Sequence, residues 1–260
     1  MEETNRRLAL MIDGDNAQAA LLPEMLAEVS KYGIMTIRRV YGDWTESEMK
    51  SWKTVLHTYA LQPVQQFRYT VGKNATDSAL IIDAMDILYT AGIDGFCIAS
   101  SDSDYTRLAT RIREKNLFVM GIGRQNTARA FVNACDVFVY TENLQSTPEG
   151  EVKAEIPVLK TTTTKKKANK PVVKDTPELV RLKKLLRTAL DSAVQDDSWA
   201  NLGQVGMFLL QLDPGFDSRT YGYKKLQQLV ETLPDFIEMR KVTNTKDNSA
   251  IIHIRLKPAA

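Results

Sequence analysis

RRLALMIDGDN, residues 6–16, passes from the uninterrupted apolar run Leu8–Ala9–Leu10–Met11–Ile12 straight to a carboxylate at Asp13. An apolar run without alternation is what a parallel strand buried on both faces requires. Asp13 is then the first polar residue beyond the strand's carboxyl end. GFCIASSDSDY, residues 95–105, repeats the arrangement, with Phe96, Cys97, Ile98 and Ala99 followed by Asp102 and Asp104. Ligands of open α/β sheets bind outside the carboxyl ends of the strands, so acids released there by different strands can converge. A fourth acid, Asp77, stands in the first turn of a helix expected in KNATDSALIID, residues 73–83.

Working outward from these runs, residues 7 to 139 alternate between strand and helix. Strands are expected near 7–12, 35–41, 64–69, 94–99, 117–122 and 137–140. Leu21, Met25, Ala27 and Val29 give the first helix an apolar side, and Gly33 is expected as its C′ glycine. Leu80, Ile81, Ala84, Met85 and Leu88 recur at helical spacing in a later helix, and Leu108, Ala109 and Ile112 do so in the next. Such alternation predicts an α/β fold with a central, mostly parallel sheet flanked by helices. Residues 146–175, STPEGEVKAEIPVLKTTTTKKKANKPVVKD, have no apolar periodicity and read as a flexible Thr/Lys/Pro-rich linker between a domain at 1–145 and one at 176–260. Lys165, Lys166 and Lys167 in it read as a solvated tether. Beyond it, Leu179, Leu182, Leu185, Leu186 and Leu190 mark an amphipathic helix. Further helices near 201–211 and 218–232 and a hairpin, FIEMRKV with AIIHIRL, complete a small winged-helix-like module.

The 260 residues leave room for these two domains, and 43% hydrophobic with 25% charged residues is ordinary for a globular protein. No stretch approaches the roughly 20 apolar residues of a membrane span, and no signal peptide precedes the first strand, so a cytoplasmic protein is expected. Cys97 and Cys135 lie in apolar contexts without zinc-ligand spacing and read as buried free thiols. The net charge of +2 is unevenly spread: residues 1–145 carry 15 Lys and Arg against 18 Asp and Glu, residues 146–260 carry 19 against 14. Acids gathered in front suit a cation, and bases behind suit a polyanion such as nucleic acid.

A hard cation such as Mg²⁺ takes oxygen ligands and keeps several waters, so two to four converging carboxylates suffice to hold it. Asp13, Asp77, Asp102 and Asp104 are that candidate set. Asn16, three residues after Asp13, is placed to steady a carboxylate or a phosphate, with Ser101 and Ser103 as weaker helpers. Each also has a plainer use: Asp77 complements a helix dipole, Asp102 or Ser103 caps the helix near Tyr105, and Asp15 and Asn16 form a turn around Gly14. Asp83 and Asp86 read as supporting or surface acids, His57 and His253 as surface or wing residues, and Arg124, beside Gly121–Ile122–Gly123, as a candidate phosphate contact.

LMIDGDN, KNATDSALIIDAMD, IASSDSDYTRLATRIREKNLFVMGIG and ACDVFVY, in this order over residues 5–142, resemble the NYN domain (LabA-like), a branch of the PIN-like nuclease superfamily. That resemblance implies a PIN-like fold and ribonuclease activity dependent on Mg²⁺ or Mn²⁺. It implies an acidic site of Asp13, Asp77, Asp102 and Asp104, with Asn16 on the family's asparagine and Asp136 on a late, structural acid. PGFDSRTYGYKKL, within residues 176–257, is similar to the OST-HTH or LOTUS domain, associated with RNA or with protein partners. Arg219, Tyr221, Tyr223, Lys224 and Lys225 there offer cations and stacking rings to RNA. Alternatively Phe216, Tyr221 and Leu226 are core and the lysines keep a helix soluble.

The leading expectation is a metal-dependent ribonuclease to which the C-terminal domain recruits RNA. DGDN and SDSD also resemble haloacid-dehalogenase-type phosphatases, with Asp13 as nucleophile and Thr70 and Lys73 in supporting roles. The helix beginning almost directly after Asn16 leaves no room for that family's flap. A third reading is a non-catalytic RNA-binding or regulatory protein. A protein partner and an oligomeric state stay open in the sequence.

Overall fold

β1 (Arg7–Asp13) runs through the middle of a six-stranded sheet, and every residue from Leu8 to Asp13 is fully buried. The computed structural model describes residues 6–67, 75–144, 176–194, 198–243 and 250–257. The expected linker, Thr70, Lys73 and the lysines at 165–167 lie outside them. The chain forms two compact units, the first of Met1–Ser146 with Asp213–Asp217, the second of Thr147–Leu212 with Ser218–Ala260.

In the first unit the elements follow as β1, α1 (Leu22–Val29), β2 (Ile34–Gly42), α2 (Lys50–Val55), β3 (Gln62–Gln65), α3 (Ala75–Thr90), β4 (Gly95–Ala99), α4 (Thr106–Arg113), β5 (Phe118–Gly123), α5 (Arg129–Ala134) and β6 (Val137–Tyr140). The sheet order is β3-β2-β1-β4-β5-β6, with every neighbouring pair parallel. Alternate residues of the central strands serve two cores. Ala9, Met11, Phe96, Ile98 and Val119 meet α3, α4 and α5 residues on one face, including Leu80, Leu108 and Phe131. Leu8, Leu10, Ile12, Cys97 and Met120 meet Leu22, Met25 and Trp52 of α1 and α2 on the other. Both cysteines are free and buried, as their contexts suggested.

Two expectations are corrected and a third is made specific. β3 ends at Gln65 rather than 69, with residues 68–69 beyond the described segment; among the described residues it pairs only with β2, an edge position that tolerates Pro63, which has no N–H to give a further strand. Gly33 is not a left-handed C′ residue; it is glycine because a Cβ would lie 2.4 Å from the Arg6 carbonyl oxygen. Asp136 is structural in a definite way: its carboxylate accepts the Val119 N–H at 2.8 Å and pairs with Arg113 at 3.1 Å, tying the start of β5 to the turn into β6.

The second unit begins with α6 (Pro177–Ala193), whose Thr176 cap accepts the Leu179 N–H at 3.3 Å and whose Pro177 fits the first turn. α6 packs on α7 (Leu202–Leu212), and a three-stranded sheet in the order β7 (Ala200–Asn201), β9 (Ala250–Leu256), β8 (Ile237–Thr243) closes the module. Leu182, Leu186, Leu190, Val205, Leu209, Ile237 and Ile254 are buried in it. The helix expected at 218–232 is instead a 3-10 turn, Ser218–Tyr221, and α8 (Leu226–Glu231), separated by Gly222 at φ +83°. That backbone conformation costs a glycine little and ends the turn. β7 escaped sequence reading because two residues carry no period. Among the described residues no helix is long and apolar enough to cross a membrane.

Gly121 in β5 faces the Phe138 ring and Cys135, where an added Cβ would lie 2.4 Å from Phe138 Cδ2 and 2.9 Å from Cys135 Sγ. Gly121→Ala is therefore expected to lower unfolding free energy by about 1–3 kcal/mol, read from the midpoint of urea denaturation.

Candidate active site

The chain leaves β1 toward β2 and β3 on one flank, and leaves the neighbouring β4 toward β5 and β6 on the other. Loops diverge at such a switch point and open a crevice at the carboxyl edge. Asp13 ends β1; Asp102 and Asp104 follow β4; Asp77 comes from the first turn of α3. One oxygen each of Asp77, Asp102 and Asp104 lie within 4.8 Å of one another. Asp77 is buried, Asp102 half-buried and Asp104 exposed, so the group opens outward from the sheet.

Asp13 lies outside that close group, although its charge bears on Asp77 more than those of Asp102 and Asp104 do. It is wholly buried, and its Oδ2 accepts Asn16 Nδ2 at 2.7 Å and Ser100 Oγ at 2.8 Å, while its Oδ1 accepts the Asp15 N–H at 3.2 Å. Asn16 thus steadies the first acid. Ser100, which sequence reading passed over, also accepts the Asp102 N–H at 3.1 Å, so one hydroxyl couples the end of β1 to the acidic loop after β4. The only signal for it was its place as the last residue before SDSD. Asp102 Oδ1 accepts the Asp104 N–H at 2.9 Å, the capping role foreseen for it, alongside its place in the acidic group.

Tyr105 is the other unforeseen member. Its hydroxyl donates to Asp77 Oδ1 at 2.7 Å beneath the group. Burial, with Asp13 and Asp77 beside it, pushes the phenol far above its ordinary range and keeps it a donor. Thr76 Oγ1 donates to Asp15 at 2.9 Å and so joins the loop after β1 to the helix that presents Asp77. Asp83 is held by Arg39 and Tyr41 and supports α3 against β2. Ser101 Oγ accepts the Arg124 N–H at 2.9 Å. In the second unit, Arg219, Tyr221 and Tyr223 are half-buried and Lys224 and Lys225 exposed. His57 is exposed; His253 lies on β9, paired with Arg240 of β8.

Burial raises the Asp13 carboxyl above its ordinary value, against the donors from Asn16 and Ser100. The Asp77 carboxyl is raised too, first by burial and then by the nearby charges of Asp13, Asp102 and Asp104, with the Tyr105 hydrogen bond opposing. Three carboxylates held this close repel one another unless a cation or a proton intervenes. The donors are all hard oxygen atoms, which fits Mg²⁺ or Mn²⁺ and not a thiolate- or imidazole-seeking metal.

Fold and crevice define an α/β protein of the PIN-like kind. Residues 7–144 match the NYN domain, and the chain belongs to that family; residues 178–249 match the OST-HTH/LOTUS domain. NYN is a nuclease domain of the PIN-like superfamily, and both domains are RNA-associated. Similar solved structures include a protein of unknown function from Vibrio parahaemolyticus, 15% identical with a TM-score of 0.45, covering 54% of this chain and 95% of that one. An uncharacterized protein from Nitrosomonas europaea is 31% identical with a TM-score of 0.29, covering 40% and 95%. A protein from Chromobacterium violaceum is 32% identical with a TM-score of 0.26, covering 30% and 83%. No curated protein matches the chain.

Because the folded-state value for Asp77 is raised, its contribution to stability is fully present below the ordinary aspartate range and is lost as pH rises through the raised value. Asp77→Asn, which keeps an acceptor for Tyr105, is expected to raise the melting temperature of the EDTA-treated protein near about pH 8, with the gain shrinking toward about pH 4. Calorimetric scans across that range check the sign.

Proposed function

We propose that the protein is a ribonuclease that hydrolyses RNA phosphodiester bonds at the carboxyl edge of its parallel sheet, with Mg²⁺ or Mn²⁺ held by Asp77, Asp102 and Asp104. The observation that carries this reading is the convergence of three carboxylate oxygens within 4.8 Å at the switch point of an NYN domain. A divalent cation bound there supplies charge against the phosphodiester and a water of lowered pKa. Asp77, Asp102 and Asp104 would hold such a cation through their carboxylate oxygens, Asp77 being the buried member of the group and Asp104 the exposed one.

Asp13 is assigned a positioning role beneath the cation. Its carboxyl group is oriented by Asn16 and Ser100, and through Ser100 it fixes the loop that presents Asp102. Tyr105 holds Asp77 in one rotamer and, as a permanent donor, takes no proton from the substrate. In the reaction the oxygen of a water molecule forms a bond to phosphorus and its proton passes to solvent, while the opposite P–O ester bond breaks and the leaving oxygen takes a proton from solvent. No side chain is alkylated or phosphorylated. The full burial of Asp13, with its oxygens taken up by three donors, argues against the phosphatase reading, which needs that carboxylate free to attack phosphorus.

RNA is recruited by the OST-HTH/LOTUS domain, for which Arg219, Tyr221, Tyr223, Lys224 and Lys225 remain the assigned contacts. Exposed Lys224 and Lys225 meet phosphates in this assignment, and the two tyrosines stack on bases. A purely RNA-binding role would leave the acidic group idle. The mutual repulsion of Asp13, Asp77, Asp102 and Asp104 disfavours that arrangement without a cation to offset it.

Purified wild type is expected to cleave labelled mixed-sequence RNA in Mn²⁺ or Mg²⁺ and not in EDTA. Asp102→Asn and Asp13→Asn are each expected to lower the rate about 100-fold or more, equivalent to roughly 3 kcal/mol of transition-state stabilisation, while RNA binding persists. Undiminished cleavage by both variants on the gel would remove the assignment.

A further inference from the structure

β9 alternates along its length between the core of the second unit and its outside. Ile254 is wholly buried, with Ala200 and Met239 opposite it on the neighbouring strands, and Ile237 of β8 lies on the same side and is buried too. Side chains alternate along a strand, so the intervening residues face outward. These are Glu238 opposite Arg255, and Arg240 and Asn201 opposite His253. Trp199 directly precedes the buried Ala200 and falls on this outer face. The Cζ of Arg240 lies 4.2 Å from the centre of its ring and that of Arg255 lies 4.6 Å from it. Arg240 is exposed, and Trp199 and Arg255 are half-buried.

The positive surplus of the second domain sits on this hairpin. Residues 176–260 hold 12 Lys and Arg against 10 Asp and Glu; residues 237–257 hold 5 against 2 of these, which leaves 7 against 8 for the rest. Among the described residues of the outer face Glu238 is the one acid, and Arg255 engages it, with Nε at 2.8 Å and Nη2 at 2.7 Å from the same carboxylate oxygen. A guanidinium lying flat on an aromatic ring keeps its N–H groups in its own plane, so the stack and a hydrogen bond to a phosphate do not compete. The ring also settles two long side chains in advance, which lowers the entropy lost when they bind. Val242, on the same face, is 39% exposed and adds apolar surface beside the cations. Cations and aromatic or apolar atoms side by side on a rigid sheet suit a polyanion with stacking bases.

We infer that the outer face of the β7-β9-β8 sheet, built on Trp199, Arg240 and Arg255, holds single-stranded RNA. The two guanidinium groups meet phosphates, and bases pack against Trp199 and Val242. The inference rests on the reading that this domain recruits RNA, and it extends the contact beyond the Arg219–Lys225 string to a second surface. Glu238 restrains that surface: it occupies Arg255 and repels the incoming phosphates.

The test is fluorescence anisotropy of labelled single-stranded RNA with the full chain carrying Asp102→Asn, across a series of KCl concentrations, with a melting curve for every variant. Arg240→Gln is expected to weaken binding about fivefold at low salt and to reduce the slope of log K against log salt by about 0.7, the value of one single-strand phosphate contact. Glu238→Gln is expected to move both quantities the other way, tightening binding about threefold, because it releases Arg255 and removes the acid. A stack that served only the stability of the sheet would give no such gain, so Glu238→Gln decides the matter even where Arg240→Gln unfolds. Affinity and slope unmoved by Glu238→Gln and by a folded Arg240→Gln, with losses confined to Lys224→Ala and Lys225→Ala, would leave recruitment with the string and overturn the inference alone. No RNA binding by the parent chain, the result for a face that binds protein instead, would overturn the recruitment reading and the inference together. Opposite shifts for the two variants in a protein whose wild type never cleaves would retain the RNA surface and remove the catalytic reading.

Discussion

A buried carboxyl group at the end of β1 is the constraint on which this molecule's working edge depends. Asp13 terminates a strand with no exposed residue from Leu8 onward, and a carboxylate there is costly unless its oxygens are occupied. The surroundings supply the donors. Asn16 comes from the turn after β1, Ser100 from the end of β4, and Asp15 gives its N–H from within the loop. Satisfying one carboxylate therefore ties together the two strands that flank the switch point, and Ser100 passes the constraint on to Asp102.

The same edge concentrates like charge where an ordinary protein would disperse it. Burial and three neighbouring acids raise the Asp77 carboxyl, while Tyr105 and Thr76 hold the start of α3 in place through Asp77 and Asp15. Stability is given up locally at this edge and recovered in two cores packed on the sheet's faces. Like charges held together by rigid elements suit a site awaiting a cation, because the arrangement needs no reorganisation when the cation arrives.

Much of this was legible in the residues. Central strands of parallel sheets are buried on both faces, so β1 and β4 appear as unbroken apolar runs, and the acids just past them were visible as breaks. Elements governed by local steric detail were harder to read. Gly33 looks like any helix-ending glycine, yet it answers to the close approach of the Arg6 carbonyl. Gly222 divides an apparently continuous helix by its backbone conformation alone. Tyr105 and Ser100 are common core and turn residues, and only the three-dimensional convergence of β1, α3 and β4 makes them partners of Asp77 and Asp13. Asp13 itself was visible as a site acid, but its depth beneath the other three depends on how far the strand end is covered.

The most direct test of the account is anomalous diffraction from crystals of the wild-type protein grown with Mn²⁺, a stand-in for either cation. The account predicts one strong peak within coordination distance of carboxylate oxygens from Asp77, Asp102 and Asp104, with Asp13 behind them and still bonded to Asn16 and Ser100. A well-ordered crevice with no peak among those three acids at saturating Mn²⁺, or a peak only elsewhere on the molecule, would contradict it.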